Sequence, residues 1–161
     1  PVEYIEENLE KLKEKNLKIV FVGRKDRFPT PTLDAINKIM LNTQNNTGMV
    51  LNVAFDYGGR NDIVEATKLV TSKVLNKEIM IDEVDELYLQ NHLYVTSNID
   101  LLIRTSGELR VSNFLLWQMA YAEFYFTKCL WPDFNVKELY KAIKSFNKRK
   151  RRFGGLNREV K

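Results

Sequence analysis

Four short apolar runs, each separated from the next by segments with helical periodicity, constrain the fold more than any other feature of this sequence. The runs are 18–22, 49–55, 101–103 and 126–130. They are continuous rather than alternating, which is typical of strands buried on both faces of a parallel sheet. We therefore expect an α/β fold with a parallel sheet flanked by helices on both faces.

Start and stop signals place the helices between these runs. Thr30-Pro31 supplies an N-cap and a first helical position, and Asn135 with Glu138 three residues later forms a capping-box pattern. Residues 149–161 have the composition of an exposed basic tail. The predicted helices cover 2–15, 30–41, 61–75, 82–93, a run from 112 through 117, and 136–148.

Length and composition narrow the class of protein. With 161 residues and 44% apolar content, the chain can form one domain with a full core. No run approaches the roughly 20 apolar residues of a membrane span, and no signal-peptide pattern is present. The single cysteine excludes a disulfide framework and indicates a reducing compartment, and one histidine makes a Cys/His zinc site a poor interpretation.

Charge is concentrated at the carboxyl end. From Lys137 to Lys161 there are ten Lys and Arg residues against two glutamates, a net +8 that leaves −4 for the rest of a +4 chain. Such an end indicates an acidic partner (phosphate groups, anionic lipid or nucleic acid), and a solvated helix face is an equally good interpretation. Few aromatic residues, Phe146 and Phe153 among them, interleave with these charges, so we do not expect nucleic-acid binding.

The stretch after the third apolar run carries the strongest functional signal. The run stops at Arg104, and a polar loop with Gly107 and Arg110 follows. Ser112 then occupies an N-cap position ahead of the predicted helix. Two guanidiniums, a hydroxyl and a helix N-terminus at the carboxyl end of a strand predict a site for an oxyanion, most naturally a phosphate or diphosphate.

A partly buried arginine needs a partner, because burying an unpaired cation is costly. For Arg104 the candidates are Asp100, Glu108 or an anionic ligand. In a parallel sheet the strand ends at 23–24 and 57–60 would converge on the same rim. Gly58-Gly59, within the second of these, is read either as a phosphate loop or, preferably, as a tight left-handed βα turn.

Carboxylates offer two candidate metal sites. Glu123, at the end of an apolar helical segment, fits either a Mg²⁺ ligand or, equally well, an N-cap or a partner for a nearby arginine. The acidic run 82–86 resembles the cluster that trans-type prenyl synthases use for Mg²⁺-diphosphate. Those proteins are all-helical, so we favour a solvated helix face with Val84, Leu87 and Tyr88 buried.

Six runs, in order along nearly the whole chain, closely resemble the cis-prenyltransferase family, in particular its bacterial undecaprenyl diphosphate synthases. They are 52–60 (NVAFDYGGR), 100–108 (DLLIRTSGE), 110–118 (RVSNFLLWQ), 120–123 (AYAE), 131–134 (WPDF) and 151–155 (RRFGG). The resemblance implies successive condensation of isopentenyl diphosphate onto an allylic starter such as farnesyl diphosphate, each step making a cis double bond. It also implies Mg²⁺ as cofactor, a homodimer, and a cytoplasmic enzyme of cell-wall biogenesis with peripheral membrane association through its product.

The resemblance also implies roles for individual residues. Arg104, Arg110 and Ser112 match the residues that hold the diphosphate of isopentenyl diphosphate at the catalytic centre. Glu123 matches a glutamate associated with Mg²⁺ in part across the homodimer interface. A final element, formed here by Arg152 and Gly154, matches an Arg-x-Gly motif that closes over the partner subunit's site.

Two departures from the family pattern matter. Leu109 stands where members often have histidine, so a His ligand or proton relay is absent there. The motifs Asp-Gly-Asn-Gly-Arg-Trp and Asn-Trp-x-Arg occur nowhere in these residues, and the first supplies the main Mg²⁺ and allylic-diphosphate aspartate. We therefore expect 1–161 to be the C-terminal portion of a single domain, with only the isopentenyl half of the site, and not to turn over alone.

A non-catalytic partner subunit of a cis-prenyltransferase is the alternative function. Such subunits typically have degenerate loops, whereas this sequence retains Arg104, Arg110, Ser112 and Glu123. Their presence favours a complete protein that is catalytic.

Overall fold

The computed structural model describes residues 14–149, which fall into two compact units, one ending at Val95 and one beginning at Thr96. The predicted helix over 2–15 lies almost wholly outside the described residues, as does the basic tail beyond Arg149. No helix in the described part of the chain is long and apolar enough to cross a membrane.

The first unit begins with a parallel βαβ arrangement. Strand β1 (Lys18–Val22) pairs with β2 (Val50–Ala54) in the register Lys18↔Val50, and helix α1 (Thr30–Thr43) connects them. The N-cap of α1 is Pro29, one residue earlier than the predicted cap at Thr30. Pro31 lies in the first turn of the helix. Residues Ile19 of β1 and Ile39 of α1 form a buried core against which Leu17, Phe21 and Val53 pack.

The rest of the first unit contains α2 (Gly59–Leu75) and two short elements. The single helix predicted over 82–93 is wrong: a 3₁₀ turn covers Ile81–Glu83 and helix α3 covers only Glu86–Gln90. The break arises because Asp85 is extended and its carboxylate accepts the Tyr88 N–H at 2.7 Å, which starts a new helix. Leu87 is 62% exposed, contrary to the expected burial.

The second unit is built on β3 (Leu101–Arg104) and β4 (Glu123–Phe126), which are parallel in the register Leu101↔Glu123. The strand predicted over 126–130 is therefore displaced, because β4 ends at Phe126, the residue at which the predicted strand begins. Helix α4 (Val136–Asn147) confirms the Asn135 half of the predicted capping box, since the Asn135 side chain accepts the N–H groups of Lys137 and Glu138. The Glu138 carboxylate accepts from Lys141 and does not complete the box. A 3₁₀ turn, Trp131–Asp133, precedes it.

The helix predicted after Ser112 is also wrong. Residues 112–121 form successive turns, with positive φ at Ser112 (50°), Asn113 (62°) and Leu115 (41°). Left-handed residues cannot continue a right-handed helical ladder, so the serine does not cap a helix. Glu123 consequently begins a strand instead of ending a helical segment.

The predicted α/β class and the parallel strand pairing are confirmed. Within residues 14–149 the strands pair two by two, as β1 with β2 and β3 with β4. Each unit therefore presents its own carboxyl strand ends.

Candidate functional site

Arg104 is the last residue of β3 and is half-buried. Its carbonyl oxygen accepts the Thr127 N–H at 2.9 Å, which continues the β3–β4 pairing beyond β4. Within the residues that the structure describes, its guanidinium makes no hydrogen bond or ion pair, with Asp100, Glu108 or any other side chain. The sequence suggested Asp100, Glu108 or an anionic ligand as the partner of Arg104. Neither carboxylate pairs with it among the described residues, so the anionic ligand remains.

A two-residue turn follows β3. Ser106 and Gly107 both have left-handed φ, at 66° and 71°. Their N–H groups donate to the carbonyl oxygens of Cys129 (2.8 Å) and Thr127 (2.9 Å). The turn is therefore hydrogen-bonded to the segment that follows β4, which fixes the backbone immediately beyond Arg104.

The next part of the loop carries Arg110 and Ser112. The Arg110 side chain is 64% exposed and forms an ion pair with Glu108. Ser112 is exposed, and its left-handed φ is part of the turns described above. Exposed ion pairs contribute about 1 kcal/mol or less, so a diphosphate can replace Glu108 at little cost. The structure places these residues on the same strand-end loop of the second unit as Arg104.

Glu123 lies at the other end of the strand pair. It opposes Leu101 in the register, three residues before Arg104, a separation of about 10 Å along the strand. Its Oε2 accepts a hydrogen bond of 2.6 Å from Nη1 of Arg149, just beyond α4. Of the roles considered for Glu123, this contact is the partner for a nearby arginine.

The same ion pair decides how the described residues fit Mg²⁺. Among residues 14–149 no group of three or more His, Cys, Asp or Glu side chains could hold a metal ion. Glu123 offers a single carboxylate, and Arg149 occupies it. Residues 14–149 do not complete a Mg²⁺ site by themselves, and a metal role for Glu123 stays a prediction.

In the first unit, the carboxyl ends of β1 and β2 are joined by an ion pair. Arg24 Nη2 lies 3.0 Å from Asp56 Oδ1, and the Arg24 N–H donates to the Asp56 carbonyl. Gly23 precedes this pair at φ 119°, where an added Cβ would lie 2.2 Å from the Phe55 carbonyl oxygen. Only glycine allows the two strand ends to approach this closely.

The Gly58-Gly59 segment is not the left-handed turn that we expected. Gly58 is extended at φ −151° and Gly59 is already the first residue of α2. The junction is fixed by Asp62, which is only 2% exposed and accepts hydrogen bonds from the Tyr57 hydroxyl (2.8 Å) and the Tyr94 N–H (3.0 Å). Burial, and then the Asp62 carboxylate, raises the pKa of Tyr94.

Sequence reasoning missed this buried aspartate and treated it only as a helix-start signal. The available signal was a carboxylate in the first turn of a helix, next to an aromatic loop residue able to donate to it. Beside this junction is an open cleft of about 360 Å³, lined by Arg24, Lys25, Asp26, Asn61, Glu65 and Tyr94. Its two cations and two carboxylates balance, which gives it no net attraction for a diphosphate.

Four of the six sequence-predicted site residues lie among the residues that the structure describes. Arg104, Arg110 and Ser112 share the strand-end loop of the second unit, and Glu123 lies at the opposite end of its strand pair. Arg152 and Gly154 lie outside the described residues. The described geometry defines a class: an α/β protein with parallel strands and a half-buried arginine, unpaired within residues 14–149, at a carboxyl strand end, suited to bind an anion.

Comparison with known proteins narrows this class. The profile of the family described as "Putative undecaprenyl diphosphate synthase" matches residues 2–154. The isoprenyl transferase of Streptococcus mutans is 47% identical over 97% of this chain and 65% of its own length, and that of Streptococcus pneumoniae R6 is 45% identical over 97% and 64%. The chain thus spans somewhat less than two thirds of these curated relatives.

Two solved structures also match this chain in fold. The crystal structure of lavandulyl diphosphate synthase from Lavandula x intermedia, in complex with dimethylallyl diphosphate, matches with a TM-score of 0.89 and 38% identity over 95% of this chain and 67% of that one. A probable undecaprenyl diphosphate synthase from Campylobacter jejuni matches with a TM-score of 0.83 and 32% identity over 94% and 70%. The chain belongs to the undecaprenyl diphosphate synthase family of isoprenyl transferases.

Proposed function

We propose that this chain is the C-terminal portion of a single-domain cis-prenyltransferase that condenses isopentenyl diphosphate onto an allylic diphosphate with cis geometry. Farnesyl diphosphate is the proposed starter and a long-chain polyprenyl diphosphate, of undecaprenyl type, the proposed product. The family membership supports the reaction class. The absence of the Asp-Gly-Asn-Gly-Arg-Trp motif from these residues supports assigning them the isopentenyl half of the site.

The observation that carries this proposal is the guanidinium of Arg104. It is half-buried at the end of β3 and has no partner among residues 14–149. A fixed guanidinium can bind two diphosphate oxygens at once, which a flexible ammonium cannot do. Arg104 therefore serves as the primary contact for the diphosphate of isopentenyl diphosphate.

Arg110 and Ser112 complete the contact in this proposal. Arg110 leaves its exposed ion pair with Glu108 when the more highly charged diphosphate arrives, and the Ser112 hydroxyl donates a hydrogen bond to a diphosphate oxygen. These contacts hold isopentenyl diphosphate while its alkene attacks the allylic carbon from which the allylic diphosphate departs. The resulting cation then loses a proton to give the new double bond. The contacts act on binding and orientation, since none of the three groups is a base at neutral pH.

The remaining assignments concern the complete protein. We propose Mg²⁺ as its cofactor, with Glu123 as the candidate ligand in this chain once Arg149 has released it. A homodimer is proposed, with Arg152 and Gly154 closing over the partner subunit's site. We place the enzyme in the cytoplasm, at the membrane surface through its product, in cell-wall biogenesis.

A non-catalytic partner subunit remains the second candidate, because the allylic half of the site is not in these residues. Turnover by the purified full-length protein alone favours the enzyme. Turnover only after addition of a second prenyltransferase subunit favours the partner.

The test of the division of roles is Arg104→Ala in the full-length protein. We expect the KM for isopentenyl diphosphate to rise about 10- to 100-fold, the range of lost charge-assisted hydrogen bonds, with little change in the KM for the allylic substrate. Arg104→Lys is the matched control and should fall between, since it keeps the charge and loses the bidentate geometry. Equal rises in both KM values would contradict the proposal.

A further inference from the structure

Thr127 is the residue through which the backbone beyond Arg104 is fixed. It is half-buried and directly follows β4. Its N–H donates to the carbonyl oxygen of Arg104, and its own carbonyl oxygen accepts the N–H of Gly107, both at 2.9 Å. One residue therefore holds the two sides of the turn that follows β3.

The Thr127 side chain adds a third hydrogen bond. Its Oγ1 accepts the Cys129 N–H at 3.2 Å, a local hydroxyl-to-backbone contact two residues along the chain. The contact sets the direction of the backbone at 127–129, and the Cys129 carbonyl oxygen in turn accepts the Ser106 N–H at 2.8 Å. The hydroxyl thus supports the hydrogen bond that holds Ser106 in its left-handed conformation.

These hydrogen bonds fix the backbone that carries the two arginines. A guanidinium gains from bidentate geometry only if the backbone that carries it is fixed before the ligand arrives. Arg104 is hydrogen-bonded directly to Thr127, and the turn 105–108 leads from it to Arg110 and Ser112. Loosening this turn therefore affects the diphosphate contacts, although Thr127 itself contributes no charge.

We propose that Thr127 is a positioning residue for the diphosphate-binding loop, acting through its hydroxyl on the turn at Ser106-Gly107. The proposal rests on the proposed function of Arg104, Arg110 and Ser112. Thr127 directly follows β4, the strand that pairs with the arginine strand β3, and lies outside the loop that contacts the ligand.

The experiment compares three variants of the full-length protein. Thr127→Val removes the acceptor and keeps the β-branched shape, Thr127→Ser restores the hydroxyl, and Thr67→Val is the matched control. Thr67 also makes a local hydrogen bond between its side chain and the backbone, although its hydroxyl donates, to the Ile63 carbonyl oxygen at 2.7 Å, on the exposed face of α2. The measurements are KM and kcat for each substrate, and hydrogen exchange of the Ser106 and Gly107 amides.

We expect Thr127→Val to raise the KM for isopentenyl diphosphate about 5-fold, the equivalent of one lost neutral hydrogen bond, and to accelerate exchange of both amides. Thr127→Ser and Thr67→Val should match the unmodified protein, and the allylic KM should not change. Unchanged exchange, an unchanged isopentenyl KM, or an equal rise for both substrates would overturn the proposal. If Arg104→Ala also left the isopentenyl KM unchanged, the proposed function would fail and this inference with it; a failure of Thr127→Val alone would leave that function standing.

Discussion

At the scale of single residues, Ser106 holds a conformation that its side chain disfavours. Its φ of 66° is left-handed, where an L-residue with a Cβ is strained and glycine is not. Gly107 adopts the same region at 71° without that penalty. The backbone hydrogen bonds to Cys129 and Thr127 maintain the turn in spite of the serine.

The residue-scale prediction is that Ser106→Gly raises the free energy of unfolding by about 0.5–1 kcal/mol, because it removes the left-handed penalty. Gly107→Ala is the opposite change and should lower it by about 1 kcal/mol; steric clash is not the cause, since the added Cβ would meet only Lys128 Cγ at 3.7 Å. Urea unfolding of both variants measures the difference. A loss of stability in Ser106→Gly would show that the backbone hydrogen bonds do not impose the turn.

The sequence predicted the position of Arg104 in the fold better than it predicted which charged side chains form ion pairs. The end of a strand at Arg104 was readable, because an apolar run stops at a charged residue. Glu108 was one of the partners considered for it, yet it pairs with Arg110. In an extended loop, residues two apart lie on the same side, whereas a four-residue spacing favours contact only in a helix.

At the scale of elements, α4 shows where local signals are sufficient. The Asn135 side chain satisfies two otherwise unpaired N–H groups in the first turn of the helix, those of Lys137 and Glu138. Asp85 caps α3 by accepting one N–H group, that of Tyr88, and this cap divides a helix that had been predicted as continuous. Between 112 and 121 local periodicity indicated a helix, but three left-handed residues and the hydrogen bond from the Ile99 N–H to the Gln118 carbonyl oxygen give turns instead.

The element-scale prediction concerns this cap. Asn135→Ala should lower the free energy of unfolding by about 1 kcal/mol, since two amide groups lose their acceptor. Asn135→Asp is the matched control and should keep the stability, because its carboxylate accepts the same hydrogen bonds and interacts favourably with the helix dipole. Chemical denaturation followed by circular dichroism measures both. An equal loss in the two variants would mean that the side-chain amide acts through the hydrogen bond that its Nδ2 donates to the Asp133 carbonyl oxygen, which aspartate cannot make, and not through capping.

At the scale of the whole molecule, class and family were predictable, and the grouping of strands was not. Continuous apolar runs indicate parallel strands because both faces must be covered, and six ordered motifs indicate the family. An apolar run does not identify its neighbour, so the pairing of β1 with β2 and of β3 with β4 emerged only from the structure. The role of Asp62 was hidden for the same reason, since its partner Tyr94 is 32 residues away.

The last prediction follows from dividing the reaction between two sets of groups. The 161 residues include Arg104, Arg110 and Ser112, the proposed contacts of isopentenyl diphosphate, and no Asp-Gly-Asn-Gly-Arg-Trp motif for the allylic diphosphate. We therefore expect this chain alone to bind isopentenyl diphosphate, measurably by calorimetry and more weakly at high salt, because screening reduces the attraction of a diphosphate for exposed cations. The same chain should incorporate no labelled isopentenyl diphosphate when farnesyl diphosphate and Mg²⁺ are supplied. Arg104→Ala in this chain should abolish the binding signal, which distinguishes a specific site from general basic charge. Polyprenyl product from the chain alone would show that the leaving diphosphate is held by residues other than the absent motif, and the two-part division of the site would be wrong.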